Sequence, residues 1–229
     1  MALTVTAAGT ATSTTLNGSL AVTFTASANA GDLIVLIGAS DNNGTSGARS
    51  MSVANLSDSV GNNYILRVNQ LNDPGAAAAG CHLNMWTATC QFPTTATSTT
   101  VTVAFSPTTT SKSLILFVIT AAAGSQPVYR TGAAGTNTVA GTSATVTTAS
   151  VTNGEAVVGA MALESNEAIT ADTDTTNGSW SAATTALANS GTLATSMEGT
   201  AQSKVVNATA AQTYNTAWTT ATDAAIGYI

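Results

Sequence analysis

The residues able to do chemistry are few and scattered. His82 is the only histidine, and it stands beside Cys81. A cysteine with a histidine as its general base makes an activated nucleophile, and the same pair can ligate zinc. Here both fall in residues 81–90, a run that reads as a strand, where neighbouring side chains point to opposite faces. The pair is therefore not expected to meet. Cys90 lies nine residues on, roughly 30 Å away along an extended strand, too far for a disulfide. Both cysteines read as small core or surface thiols.

Carboxylates gather once, at Glu164, Glu167, Asp172 and Asp174. Residues 172–178 read Asp-Thr-Asp-Thr-Thr-Asn-Gly, oxygen-rich and closed by glycine in the manner of a calcium loop. Asp172, Asp174 and Asn177 are the candidate metal ligands. The spacing misses the EF-hand pattern by a residue and the closing Glu is absent. The competing reading is an Asx turn leading into Trp180. No Gly-x-Ser-x-Gly elbow, phosphate loop or His/Cys ligand cluster occurs. A carboxylate pair for glycoside hydrolysis needs only proximity in space, yet no aromatic cleft is signalled: Trp86, Trp180 and Trp218 stand singly, at positions that suit a core. The expectation is a protein that is not an enzyme, with no catalytic residue and no cofactor, its metal binding left open at those three positions.

The elements that must position these groups read as strands. Residues 31–42, Gly-Asp-Leu-Ile-Val-Leu-Ile-Gly-Ala-Ser-Asp-Asn, form an apolar run between two turn signals, the mark of a strand covered on both faces. Further strands are expected over residues 3–8, 19–26, 51–56, 64–69, 81–90, 99–105 and 113–120. Residues 41–50 read as a loop, and Asn72-Asp73-Pro74-Gly75 as a turn. Residues 121–135, with Gly124, Pro127 and Gly132, read as a connection between domains.

After that connection the pattern returns. Gly154-Glu155 follows Gly31-Asp32 by 123 positions, and residues 153–166 repeat its grammar. Ala133-Ala134-Gly135-Thr136 echoes Ala7-Ala8-Gly9-Thr10, and residues 139–147 echo 16–23. Asp174 to Trp180 sits where Asp58 to Tyr64 sat. Ala217-Trp218-Thr219 matches Ala104-Phe105-Ser106, and residues 224–229 match 113–118. Six anchors in one order point to internal duplication. The acids flanking the two equivalent strands, Asp32, Asp41, Glu155 and Glu164, are expected to be solvated turn residues. The fold expected is all-β: two tandem antiparallel β-sandwich domains, immunoglobulin-like or jelly-roll, over residues 1–124 and 125–229, each with seven or eight strands.

Only 7% of the 229 residues are charged, against roughly a quarter in an ordinary soluble domain. The hydrophobic fraction is 44%, so a folded chain is favoured over disorder. The five basic residues, Arg49, Arg67, Lys112, Arg130 and Lys204, stand apart from one another, and the formal net charge is −6. That leaves no phosphate-neutralising track, and no direct nucleic-acid partner is expected. The N-terminus lacks a secretory signal, and the longest apolar run, 114–123, is too short to span a bilayer. The expectation is synthesis in a cytoplasm, with no membrane partner.

The run 31–42, then Asp58-Ser59-Val60-Gly61-Asn62-Asn63-Tyr64, then Asn72-Asp73-Pro74-Gly75, resembles the immunoglobulin-like β-sandwich domains of tailed-bacteriophage virion proteins. The resemblance covers about the first 90 residues. It implies a structural virion protein made in the host cytoplasm: a capsid decoration or cementing protein, or a tail or fibre component. Its partners would be copies of itself, a homo-oligomer such as a trimer, and a major capsid or tail protein. The alternatives are a carbohydrate-binding or host-adhesion module, or a subunit of an extracellular filament in which residues 1–18 serve as a donated strand.

Overall fold

In a computed structural model, residues 2–41, 50–52, 56–74, 80–130 and 135–229 are described. The loop expected at 41–50 lies largely outside them, as do residues 53–55 of the strand expected at 51–56. The chain is all-β, an antiparallel sandwich architecture in three sheets. Among the described residues the only helical element is a single 3-10 turn, Leu193–Thr195. Among the described residues no helix is long and apolar enough to cross a membrane.

The first half supplies eight strands: β1 (Leu3–Ser13), β2 (Asn17–Thr23), β3 (Leu33–Asp41), β4 (Ser50–Ser52), β5 (Ile65–Asn72), β6 (Cys81–Thr89), β7 (Thr100–Thr109) and β8 (Lys112–Ala121). The second supplies five: β9 (Gly135–Val151), β10 (Ala156–Leu163), β11 (Thr184–Ala188), β12 (Met197–Val205) and β13 (Ala210–Tyr228). The central sheet runs β1-β8-β3-β6-β5; a three-stranded sheet, β2-β7-β4, covers one of its faces, and the sheet β11-β12-β10-β13-β9 covers the other.

This layering explains the apolar run that defines β3. All nine of its residues are buried. Ile34 and Leu36 enter a core with Trp86, Val101, Phe105 and Leu116, under the three-stranded sheet. Leu33, Val35 and Ile37 point the other way, into a core shared with Val158, Ala160 and Ala162 of β10. A strand alternates its side chains, so only a strand covered twice reads as continuously apolar.

Among the described residues the second half has fewer strands than the seven or eight expected, and two of them are very long. β9 and β13 pair antiparallel, with irregularities between Ala211 and Thr213 and between Ala217 and Thr222. The Asn137 amide donates to the Thr145 carbonyl at 3.1 Å, although eight extended residues would span about 27 Å. The ribbon therefore doubles over around Gly141. That bend lays Tyr214 and Trp218 onto Met161 and Leu163 of β10, forming a third core. It comes so close at Gly159 that a Cβ there would lie 2.4 Å from the Tyr214 ring. Glycine is required by that approach.

Edge strands are guarded. Two carbonyls of β9 are taken by side chains: Thr145 by Asn137 and Ser150 by Arg130. The β5 edge carries a bulge between Leu66 and Val68, which sets Arg67 out of the ladder. Both devices discourage pairing with foreign strands.

Candidate functional site

The residues with chemical potential are spent on the scaffold. Gly31 and Gly154 take positive φ, +95° and +86°, at matching turns. Asp32 Oδ2 accepts from the Asn29 amide at 2.8 Å, and Glu155 Oε2 from the Thr152 amide at 2.6 Å. Behind each turn the backbone pairs with the strand opposite: Gly31 with Cys90, and Gly154 with Val206. Asp32 and Glu155 are thus turn residues, as expected, but Asp32 is buried and not solvated. Glu155 also pairs with Arg130 at 2.8 Å, both side chains half exposed.

Asp41 and Glu164 depart from the solvated role expected of them. Asp41 ends β3 and Glu164 directly follows β10, and both are buried, 0% and 4% exposed. The reason lies in the packing of the halves: the strand ends that hold them meet at one end of the shared core. There Glu164 Oε2 accepts the Gly80 amide at 2.7 Å. Burial pushes the Glu164 carboxyl up to about 7, reinforced by the negative fields of Asp41 and Asp223 and opposed by the Gly80 hydrogen bond. Cys81 lies in the same place, its thiol donating to the Ala162 carbonyl at 3.3 Å. Burial, then the fields of Glu164 and Asp223, hold that thiol far above its ordinary range. A thiol so held is a poor nucleophile.

His82 is buried on the opposite side of its strand, beside Asn69. Desolvation lowers it to about 4, so it is neutral at physiological pH. It meets neither cysteine. Cys90 sits in a different core from Cys81, and both are free thiols.

The calcium-like loop is closed by a lysine. Asp172 is buried; its Oδ1 accepts the Asp174 amide and its Oδ2 the Asn215 amide, both at 2.8 Å. Asp174 Oδ1 accepts the Thr176 amide at 3.0 Å, while its Oδ2 takes the Lys204 ammonium at 3.2 Å. Lys204 also donates to the Thr176 carbonyl at 2.5 Å and stands 5.5 Å from the centre of the Trp180 ring. These bonds pull Asp174 down to about 2, the Thr176 contacts first and Lys204 after them. Asn177, at φ +59°, forms the turn and accepts the Asn207 amide through its carbonyl. The ammonium thus fills the place a cation would take, and among the described residues no three His, Cys, Asp or Glu side chains are set to hold a metal.

At the other end of the shared core a cavity of about 310 Å³ opens between the halves, under residues 126–130. Leu33, Val35, Val158 and Ile229 line its floor; Gln126 and Arg130 supply polar atoms at its wall. Arg67 lies flat over Tyr129 at 4.0 Å, so one face of that ring is already covered. Nothing in the cavity's lining pairs a nucleophile with a base. Sequence reasoning missed this cavity because its walls come from six separate strands and the connection, and small apolar residues carry no motif. The three tryptophans, expected in cores, are at most 8% exposed. They offer no sugar platform. Compared with protein-family models, with curated proteins and with solved structures, the chain finds no match.

Proposed function

We propose that this chain is a structural building block of a virus particle, a capsid decoration or cementing protein or a tail or fibre component, acting by assembly and not by catalysis. The observation that carries this reading is the use of its ionisable groups. Asp32, Asp58, Glu155, Asp172 and Asp174 each fix a turn through backbone amides. Lys112 donates to three main-chain carbonyls, of Thr15, Thr109 and Thr110. What remains outside is mainly Thr, Ser, Ala and Asn, a surface on which copies meet without long-range repulsion.

The reading is tested by mass spectrometry and electron microscopy of particles purified from the native source. Stoichiometric, symmetric copies of the protein on the particles are expected. Its consistent absence from them would sink the reading. The cavity between the halves has the volume of a small-ligand site, and it favours the alternative of a carbohydrate-binding or adhesion module. A glycan array with the full chain decides that alternative: saturable binding that is lost on filling the cavity with Ala156→Trp supports it. In the filament alternative residues 1–18 would be donated to a neighbour; in this chain Leu3–Ser13 pairs with its own β8 along its whole length.

A further inference from the structure

The two five-stranded sheets have the same connectivity. Reading across each, β1-β8-β3-β6-β5 corresponds to β9-β13-β10-β12-β11. The ladders agree residue by residue: Leu36 pairs with Leu116 and Trp86, as Gly159 pairs with Tyr228 and Gln202. The faces that meet are also counterparts. Ile37 corresponds to Ala160, Ala39 to Ala162, and Met85 to Ala201, and all six lie in the shared core.

The contacts between the sheets come in reciprocal pairs. β8 packs on β12, and β6 on β13; β5 packs on β13, and β8 on β11. β1 packs on β11, and β5 on β9; β3 packs on β12, and β6 on β10. β3 meets its own counterpart, β10. β1 also packs on β12 without an equal counterpart between β9 and β6; the remaining contacts recur with the roles exchanged, as they do at an isologous, two-fold interface. The pseudo-axis runs along β3 and β10, whose starts share the cavity and whose ends bring Glu164 into the field of Asp41.

We propose that the chain is a covalently fused dimer: the inner face of each sheet is a self-association surface whose partner is a second copy of the same unit, here supplied by the same chain. The interface has since become directional. The first half presents large side chains such as Ile37, Leu83, Met85 and Phe117, and the second presents Ala160, Ala162, Ala201 and Ala225. Two first halves would overpack and two second halves would leave voids, so each face accepts only its complement. Gly199 marks how tightly they fit, since a Cβ there would fall 2.5 Å from Ser113 Oγ. The interface is satisfied within one chain, so contacts between chains must use edges, loops and outer faces.

Two experiments on the full chain test this, and neither depends on the virion reading. A protease site is inserted at Gly124, which has open space around it, and the folded protein is cut there. Native mass spectrometry and size exclusion are expected to show the two fragments bound one to one, with the strand spectrum retained. Separation of the fragments at micromolar concentration would overturn the proposal. Second, Ile37→Ala and Ala160→Ile are made singly and together. Each single variant is expected to lower the melting temperature by about 10 °C. The double variant, which transposes the two side chains across the axis, should regain at least half of the summed loss. Circular dichroism confirms that each variant is folded before melting. A double variant as unstable as the sum of the singles would count against the pseudo-two-fold arrangement.

Discussion

The two halves solve one problem in different ways. Each must cover the outer face of a five-stranded sheet. The first half breaks its chain at residues 110–111, between β7 and β8, and places β7 in a separate three-stranded sheet. Lys112 pins that break from within, its ammonium fully buried against main-chain carbonyls. The second half keeps β13 continuous for 19 residues and bends it, with β9, over the sheet. One design spends a buried cation on a sharp reversal. The other spends a glycine, Gly159, on a close approach. Among the described residues, eight strands in one half and five in the other present the same order of neighbours in a five-stranded sheet.

The sharpest way to break this comparison is at Gly159. Its counterpart in the first ladder is Leu36, fully buried. Gly159→Leu is expected to destabilise by about 3 kcal/mol through overpacking against Tyr214, as read by denaturant titration. Combining it with Tyr214→Ala should recover much of that loss. No loss in the single variant would mean that the ribbon does not press on β10.

The lysines come next. Lys112→Met removes a cation held by three carbonyls and should cost about 2 kcal/mol, since buried hydrogen-bond acceptors are left without a donor. Lys204→Met should cost only about 1 kcal/mol, because the Asp174 side chain it releases is 38% exposed and can turn to water. Equal losses would erase the distinction between the two designs.

A pH difference should follow, centred in the second half. Glu164 and Glu198 are both pushed up to about 7, chiefly by burial. Their folded values lie above their unfolded ones, so they contribute stability that is full below about 4.5. That contribution falls as pH rises towards 7 and is gone above it. The melting temperature at pH 5 should exceed that at pH 8 by about 4 °C. Hydrogen exchange should place the loss in β10 and β12, and Glu164→Gln with Glu198→Gln should flatten it. A melting temperature that climbs between pH 5 and pH 8 would refute this account.

The smallest effect concerns the matched turns. Asp32→Ala and Glu155→Ala should each cost about 1 kcal/mol, measured by thermal unfolding. A large difference between them would show that the turns, though alike in hydrogen bonding, carry different loads.

Much of the frame was legible in sequence, for identifiable reasons. β3, β6 and β8 were placed within a residue or so because a strand covered on both faces is apolar throughout. β1 runs five residues past its expected end at Ala8, since Gly9, Thr10, Ala11, Thr12 and Ser13 give no apolar signal. The final strand of the second half was matched one residue out of step. Ala225, not Ala224, occupies the ladder position of Ser113, since the two pair with the equivalent residues Ala162 and Ala39. A one-residue slip exchanges faces, and Ile226 accordingly belongs to the outer core with Met161, not to the shared core. Small residues gave the matching little to hold. The Asx turn at Asp172 was foreseeable from its composition. Its closure by Lys204, 30 residues away from Asp174, was not, because ion pairs between distant segments leave no local pattern.

The capped edge of β9 has a consequence for crowding. A protein displayed in many copies on one particle experiences an enormous local concentration, where bare strand edges would nucleate cross-β growth. By tying Thr145 and Ser150 to side chains and by folding on itself, β9 removes its own template. On the virion reading proposed above, dense display would then not drift into fibrils.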